Sequence, residues 1–245
     1  MSPRCTFATA RRVLRQLRAD HRTLAMLLIV PPVLMALLRD VFADLPQVFD
    51  RVGAPLLALF PFVTMFLVTS VAMLRERTSG TLERLLSMPL GKGDLLTGYT
   101  LAFGLVAVVQ AALTAAVAFG LLGLNVQGSV GLVVLIAVLD ALLGTALGLL
   151  LSAFARTEFQ AVQFLPAVVL PQVLLCGLFA PREAMAVPLQ WLSDAFPLTY
   201  AITAMQRVSA SPDISTGLMT DLGVIVGCIM LFVALGAATL PRRSA

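Results

Sequence analysis

The sequence predicts an all-α integral membrane protein with six transmembrane helices. Of its 245 residues, 59% are hydrophobic and only 12% are charged, whereas soluble domains carry about 25% charged residues. The mean hydropathy is +0.97, and six long apolar stretches can be distinguished along the chain. A helix needs about 20 apolar residues to cross a bilayer. Backbone groups in lipid must find hydrogen bonds within their own segment, so these stretches are expected to be helices.

The first predicted element is an amphipathic helix within residues 1–23. Apolar side chains recur at helical spacing on one face, and arginines line the opposite face. The apolar positions are Phe7, Ala10, Val13, Leu14 and Leu17, and the basic ones are Arg11, Arg15, Arg18 and Arg22. A helix of this kind lies in the membrane interface with its arginines among the lipid phosphates.

The six predicted spans belong to one transmembrane domain that covers residues 1–245. Their approximate ranges are 24–42, 52–74, 98–124, 130–154, 161–180 and 218–240. Pro31 and Pro32 are expected to break the first span and to free carbonyl groups that a neighbouring helix or water must satisfy. Pro166 and Pro171 are expected to interrupt the fifth span.

Two features of the fourth span are unusual. Gly144 and Gly148 form a face of small residues, which predicts close packing against another helix. Asp140 is an ionisable residue near the middle of the span, where a charged group costs a few kcal/mol. Asp140 is therefore the candidate for a polar residue with a role inside the membrane. It either marks a function or forms a structural hydrogen bond to a Ser or Thr of the bundle.

Residues 181–205 are too apolar for a plain loop and are predicted to form two short re-entrant helices before the last span. Prolines recur along this segment, and the single tryptophan and one of the two tyrosines lie within it. Aromatic side chains of this kind collect at membrane interfaces. The residues on which the prediction rests are Pro181, Pro188, Trp191, Pro197 and Tyr200.

The distribution of basic residues predicts the orientation. Of the 17 Lys and Arg residues, 13 fall on the side of the N-terminal segment, the loop after span two and the turn after span four. Cytoplasmic segments collect Lys and Arg, so a multi-pass protein of the cell membrane with both termini in the cytoplasm is expected. The net charge of +4 then indicates attraction to the anionic inner leaflet rather than to nucleic acid.

The loop 75–97 between spans two and three is a polar segment in an otherwise apolar chain. Gly80 is expected to end the helix of span two, and Ser79 or Thr81 to cap a new short helix that Pro89 stops. Asp94 is expected to cap the helix that leads into span three. A short helix with leucines on one side and charges on the other fits either a groove of a soluble partner or the lipid surface.

Several segments together resemble the type-2 ABC transporter permeases, most closely the drug-exporter branch that includes daunorubicin-resistance-type permeases. In chain order they are Glu76-Arg77, Gly80-Thr81-Leu82-Glu83-Arg84-Leu85-Leu86, Pro89-Leu90, Gly98, Ser152 to Glu158, Gln160-Ala161, Pro166, Pro171, Gly177, Pro181, and Pro197 to Ala201. Each piece alone is weakly specific, whereas the ordered set covers most of residues 75–205.

The resemblance implies that two permease chains pair, as a homodimer or a heterodimer, and that each docks one copy of a separate ABC ATPase. The loop after span two would be the coupling helix, and the turn after span four a second, smaller contact. The implied ATPase contacts are Thr81, Leu82, Glu83, Arg84, Leu85 and Leu86, with Arg156, Thr157 and Glu158 in the turn. Spans one, two and five would take part in a dimer interface along which the substrate moves.

The chain has no phosphate-binding loop that ends in Gly-Lys-Ser/Thr, so we expect no catalytic residues and no cofactor on this chain, with ATP and Mg²⁺ bound by the partner ATPase. The three cysteines have no spacing that suggests a metal site or a disulfide framework. The expected cargo is a hydrophobic drug or antibiotic, or a lipid, that is exported. The alternatives are a polysaccharide exporter, an intramembrane lipid-modifying enzyme, or a non-transporting assembly or sensor subunit.

Overall fold

The computed structural model describes residues 3–81 and 91–239. All regular elements in these two ranges are helical. The α-helices, numbered in chain order, are α1 Pro3–Ala19, α2 His21–Val41, α3 Pro46–Thr78, α4 Lys92–Gly120, α5 Val130–Leu151, α6 Glu158–Phe164, α7 Leu170–Leu175, α8 Val187–Ala195, α9 Pro197–Ala210 and α10 Thr216–Thr239. A π-helical turn, Leu165–Val169, joins α6 to α7, and a 3₁₀ turn, Arg182–Ala184, precedes α8.

The described residues contain six helices that are long and apolar enough to cross a membrane, as the sequence predicts. Span one is α2, span two α3, span three α4, span four α5, span five the continuous stretch α6 to α7, and span six α10. Span two begins at Pro46, so the predicted outer loop 43–51 is shorter than expected. Proline lacks an N–H and suits the first helical position, which allows the helix to start there.

Pro31 and Pro32 do not break span one, which runs as one helix from His21 to Val41. The prediction of a break is therefore wrong. Pro31 has no N–H for the carbonyl of Leu27, four residues earlier. The side-chain amide of Gln110 in span three donates a 2.7 Å hydrogen bond to that carbonyl instead. The expectation that a neighbouring helix satisfies a freed carbonyl is confirmed, and this contact explains how the helix tolerates the proline.

Spans two and four pack backbone to backbone along the predicted face of small residues. A methyl group added at Gly144 would lie 2.3 Å from the carbonyl oxygen of Phe62, and one at Gly148 would lie 2.3 Å from Oγ1 of Thr69. Both distances are far below van der Waals contact, so only glycine permits this approach. The packing role predicted for Gly144 and Gly148 is confirmed.

Span five is the least regular span. Its α-helical geometry changes to a π-helical turn at Leu165–Val169 and returns at Leu170. Pro166 and Pro171 are each the second residue of these two segments, so the predicted interruption coincides with the prolines. The helix ends at Leu175 rather than near residue 180. Gly177, with φ +88°, adopts the left-handed conformation that turns the chain away.

Helix α1 packs on the beginning of span three. Thr9, Ala10, Val13 and Leu17 are buried, and a methyl group at Gly98 would lie 2.6 Å from Cβ of Thr9. Phe7, expected on the same apolar face, is instead 68% exposed. The end of the bundle that carries α1 is called the α1 end below.

Candidate functional site

Span two leads into the predicted coupling segment through an ordered turn. The helix ends at Thr78, the N–H of Ser79 donates to the carbonyl of Arg75 at 2.9 Å, and Gly80 has φ +72°. The hydroxyl groups of Ser79 and Thr81 are 2.9 Å apart. The predicted helix end at Gly80 is thus confirmed. The other predicted contacts of the segment, Leu82, Glu83, Arg84, Leu85 and Leu86, lie outside the described residues.

The helix of span three resumes at Lys92 with Gly91 as its N-cap residue. The expectation that Asp94 is the N-cap is wrong, because Asp94 lies within the first turn and is buried. A carboxylate in the first turn still suits the positive end of the helix dipole. Gly91, with φ −71° and ψ 145°, has the extended conformation of an N-cap residue, and the helix begins at the next residue, two positions before Asp94.

The turn before span five is held by reciprocal capping contacts. Oγ1 of Thr157 accepts a hydrogen bond from the N–H of Gln160 at 3.2 Å, and Oε1 of Gln160 accepts one from the N–H of Arg156 at 2.8 Å. This is close to a capping box, for which Thr157-Glu158-Phe159-Gln160 has the required spacing. The spacing of Thr157 and Gln160 is therefore a sequence signal for this turn, in addition to those from which it was predicted.

An ion pair joins this turn to the end of span two. Nε and Nη2 of Arg75 donate to the two carboxylate oxygens of Glu158 at 2.7 and 3.1 Å. Both side chains are more than half exposed. The pair brings together the exit from span two, which precedes the predicted coupling helix, and the predicted second contact at Arg156, Thr157 and Glu158. Arg156 and Thr157 are also exposed.

A second polar cluster ties α1 to spans two and three. Arg12 pairs with Glu76 at 3.2 Å and donates a 2.6 Å hydrogen bond to the hydroxyl of Tyr99. Gln16 adds a 3.2 Å hydrogen bond to Glu76. Glu76 and Tyr99 are buried, so the cluster replaces water with protein partners. Sequence reasoning did not find it, because the partners of Arg12 are 64 and 87 residues away along the chain.

A cavity of about 910 Å³ opens between α1, spans one to three and the start of span five. The apolar part of its lining includes Met26, Val30, Leu67, Val68, Phe103 and Val162. Its rim at the α1 end is polar and includes Gln16, Asp20, Arg75, Glu76, Ser79 and Thr81. At this rim, hydrogen bonds from the hydroxyl and N–H of Thr23 lower the pKa of Asp20 below its usual value. The arrangement suits an amphiphilic or hydrophobic molecule.

Asp140 lies inside the bundle, on the same helix as Gly144. Its side chain is fully buried, and neither carboxylate oxygen has a hydrogen-bond partner among the described residues. The hydrogen bond to a bundle Ser or Thr, one of the two predicted roles, is therefore not seen in that part of the chain. Buried polar groups almost always have partners, so the position remains a candidate for function.

The residues predicted to be re-entrant are distributed over the 3₁₀ turn, α8 and α9. Pro181 precedes the 3₁₀ turn, Pro188 is the second residue of α8 and Pro197 the first of α9. Trp191 is 71% exposed, and the hydroxyl of Tyr200 donates to the carbonyl of Asp194 at 2.8 Å.

The same segment is anchored to the end of span five. The hydroxyl of Ser193 donates to the carbonyl of Leu175 at 2.7 Å, and Arg182 pairs with Asp194. Within residues 3–81 and 91–239, no group of three or more His, Cys, Asp or Glu side chains could hold a metal ion.

Comparison with known proteins identifies the family. The model of the ABC-2 type transporter family matches residues 4–208. The inner membrane transport permease YhhJ of Escherichia coli is 30% identical over 155 residues, which cover 62% of this chain and 41% of that protein. The probable multidrug ABC transporter permease YbhS of the same organism is 25% identical over 178 residues, which cover 72% of this chain and 47% of that protein.

A eukaryotic relative, ABC transporter G family member 20 of Dictyostelium discoideum, is 28% identical over 161 residues, or 65% of this chain and 22% of that protein. The matched region thus covers less than half of each of these relatives. These matches do not distinguish the daunorubicin-resistance branch, which stays a prediction. The family model, in contrast, covers most of this chain, including both halves of the Arg75–Glu158 pair, and the chain therefore belongs to the ABC-2 type transporter family.

Proposed function

We propose that this chain is the membrane-spanning permease subunit of an ATP-driven exporter, with ATP and Mg²⁺ bound on a separate ABC ATPase. The observation that carries the proposal is the Arg75–Glu158 pair. It joins the two segments expected to contact the ATPase, so that a displacement of either one is transmitted to the other. Span two and span five would then move together when the ATPase changes shape.

The proposed arrangement is a multi-pass protein of the cell membrane with the α1 end in the cytoplasm. Helix α1 would lie in the inner interface, and α8 and α9 would be re-entrant helices of the outer leaflet. The exposed Trp191 and the anchoring of α8 to the end of span five support the second assignment. Two permease chains and two ATPase copies would complete the transporter, and the chain would have no catalytic residues of its own.

The proposed cargo is a hydrophobic small molecule, such as a drug or antibiotic, or a lipid. The cavity at the α1 end supports this choice, since aliphatic and aromatic side chains of spans one, two, three and five form much of its lining. A molecule could reach it from the inner leaflet or the cytoplasm. Export of a polysaccharide is the alternative. Competition of hydrophobic drugs for transport would distinguish a hydrophobic cargo from a polysaccharide.

The test is co-purification of an ATPase subunit with the double variant Glu83→Ala/Leu86→Ala. We expect the variant to insert normally but to lose both the ATPase and transport. A matched control is Asp44→Ala/Leu45→Ala, which removes an exposed acid and an exposed leucine from the opposite end of the bundle. Unchanged recovery of the ATPase with the first variant would contradict the proposal, as would equal loss with the control.

A further inference from the structure

All charged side chains of helix α1 are positive. Residues 3–19 contain no acidic side chain. The arginines of α1 and of the start of α2 that are exposed are Arg4, Arg11, Arg15, Arg18 and Arg22. None of these five has a carboxylate within ion-pair distance among the described residues, where the four ion pairs involve Arg12, Arg75, Arg182 and Arg207. These five residues are called the arginine face.

Packing of the opposite side of α1 prevents the helix from rotating its arginines toward the protein. The opposite side of α1 is buried against span three, with Val13 and Leu17 in the core and Thr9 in contact with Gly98. The nearest carboxylate in sequence, Asp20, is engaged by Thr23. Arg4, Arg11, Arg15 and Arg18 therefore lie on the side of α1 that faces away from span three, and Arg22 is exposed at the start of α2. The exposed ring of Phe7 lies on α1 as well.

Arg12 is the exception, because it points inward. It contacts Glu76 and Tyr99, and Glu76 directly follows Arg75 of the pair with Glu158. Arg12 thus connects α1 to the exit from span two through a partly buried ion pair.

We propose that the arginine face binds the headgroups of anionic phospholipids in the adjoining leaflet, and that this binding fixes α1 in the position where Arg12 contacts Glu76 and Tyr99. Guanidinium groups form paired hydrogen bonds with phosphate oxygens, and basic residues near the surface are attracted to anionic lipids. Phe7, exposed on the same helix, adds an apolar anchor for the lipid. The lipid-binding part stands on the geometry alone. The consequence for transport rests on the proposed function.

The consequence for transport is a requirement for anionic lipid. Without it, α1 loses the lipid contacts that fix its position and rotation beside the bundle, and the Arg12–Glu76 contact is weakened. The exit from span two then becomes less well positioned for the ATPase.

The binding test uses the full chain in neutral detergent, to which either phosphatidylglycerol or phosphatidylcholine is added. Thermal unfolding and lipid retained in native mass spectrometry are measured. We expect phosphatidylglycerol, and not phosphatidylcholine, to raise the unfolding temperature. Replacing all five arginines of the face by glutamine should abolish the rise, whereas replacing them by lysine should keep most of it. Each arginine removed should weaken binding about fivefold.

Two controls make the result specific. Arg51→Gln removes an exposed arginine from the other end of the bundle and should leave the stabilisation unchanged. Inorganic phosphate at matched ionic strength should not reproduce it. Equal stabilisation of the glutamine variant by phosphatidylglycerol would overturn the proposal, and so would equal stabilisation by free phosphate. Loss of the ATPase by the glutamine variant with unchanged lipid stabilisation would also overturn it and would assign the face to the ATPase.

The transport consequence is tested with the complex in vesicles of phosphatidylcholine with and without phosphatidylglycerol. We expect stimulation of the ATPase by the permease to require phosphatidylglycerol in the wild type. Arg12→Gln should still bind the lipid but give only a low stimulation that phosphatidylglycerol does not raise. A wild-type response that does not depend on phosphatidylglycerol would overturn the regulatory part. Absence of stimulation in every lipid, with lipid stabilisation intact, would count against the proposed function alone.

Discussion

Single residues carry the polar chemistry of this otherwise apolar bundle, and Asp140 has the most unusual environment. Most buried polar side chains here find partners, such as Thr69 with the carbonyl of Met65 at 2.7 Å and Ser152 with that of Leu149 at 2.6 Å. Asp140 finds none among the described residues. Position in the middle of a span identified it from sequence, but whether a hydroxyl reaches it depends on how the helices face one another, which hydropathy does not reveal.

Asp140→Asn separates stability from function at this position. An unpartnered buried carboxylate is destabilising in its charged form, so we expect the amide to leave the unfolding temperature in detergent unchanged or to raise it. Asp140→Ala is the control for lost volume and should lower it. If transport is lost while the fold is kept, the carboxylate acts in transport. A marked fall in the unfolding temperature of the Asn variant would contradict the expectation.

At the scale of helices, a neighbouring span supplies the hydrogen bond that a proline removes from its own helix. Pro31 lies inside a continuous helix because Gln110 supplies the donor that the proline lacks. The presence of the helix could be predicted from its apolar length, and the need for a donor from the proline. The identity of the donor could not, since 83 residues separate Gln110 from Leu27.

A double-mutant cycle tests this compensation. Gln110→Leu leaves the Leu27 carbonyl without its donor and should destabilise the protein by about 1–3 kcal/mol. In a Pro31→Ala background the helix supplies its own N–H, so the same change should cost clearly less. Pro32→Ala serves as the matched control and should not reduce the cost. Equal costs in all three backgrounds, measured by unfolding in detergent, would show that the hydrogen bond does not carry the effect.

Substitution by alanine tests whether the contact of spans two and four requires glycine. Gly148→Ala would place a methyl group 2.3 Å from Oγ1 of Thr69 and 2.5 Å from the carbonyl oxygen of Phe66, and overpacking of this kind costs about 1–3 kcal/mol. Gly223 in span six has no heavy atom within 4 Å of an added methyl group. Gly223→Ala should therefore be neutral in the same unfolding measurement, and a similar loss for both variants would refute the packing role.

For the molecule as a whole, hydropathy predicts the number of spans, and charge counting predicts an orientation that remains a prediction. What the sequence could not predict is the set of long-range polar contacts at the α1 end. Arg75 and Glu158 are 83 residues apart, and each could equally be a solvated charge. Their pairing depends on where span two ends relative to span five, which only the packed bundle determines.

Exchanging the charges of Arg75 and Glu158 tests whether the two residues act as a pair in the whole transporter. Because both side chains are largely exposed, the pair should contribute no more than about 1 kcal/mol to stability. We expect Arg75→Glu and Glu158→Arg each to reduce ATPase stimulation several-fold with little change in unfolding temperature. The combined variant should recover much of the activity. Failure of the combined variant to exceed either single one would show that the two residues act separately.

The glycine contact between spans two and four also limits how the bundle can deform. Two backbones in direct contact leave no flexible side-chain layer between them on which to slide, so these spans should behave as one rigid body during a transport cycle. Relative motion then belongs to the spans that are less enclosed, spans one, five and six, whose apolar windows are only 22%, 17% and 11% buried. The π-helical turn of span five is the place where that span can bend. Spectroscopic labels on spans two and four should keep a constant separation while labels on spans two and five change theirs.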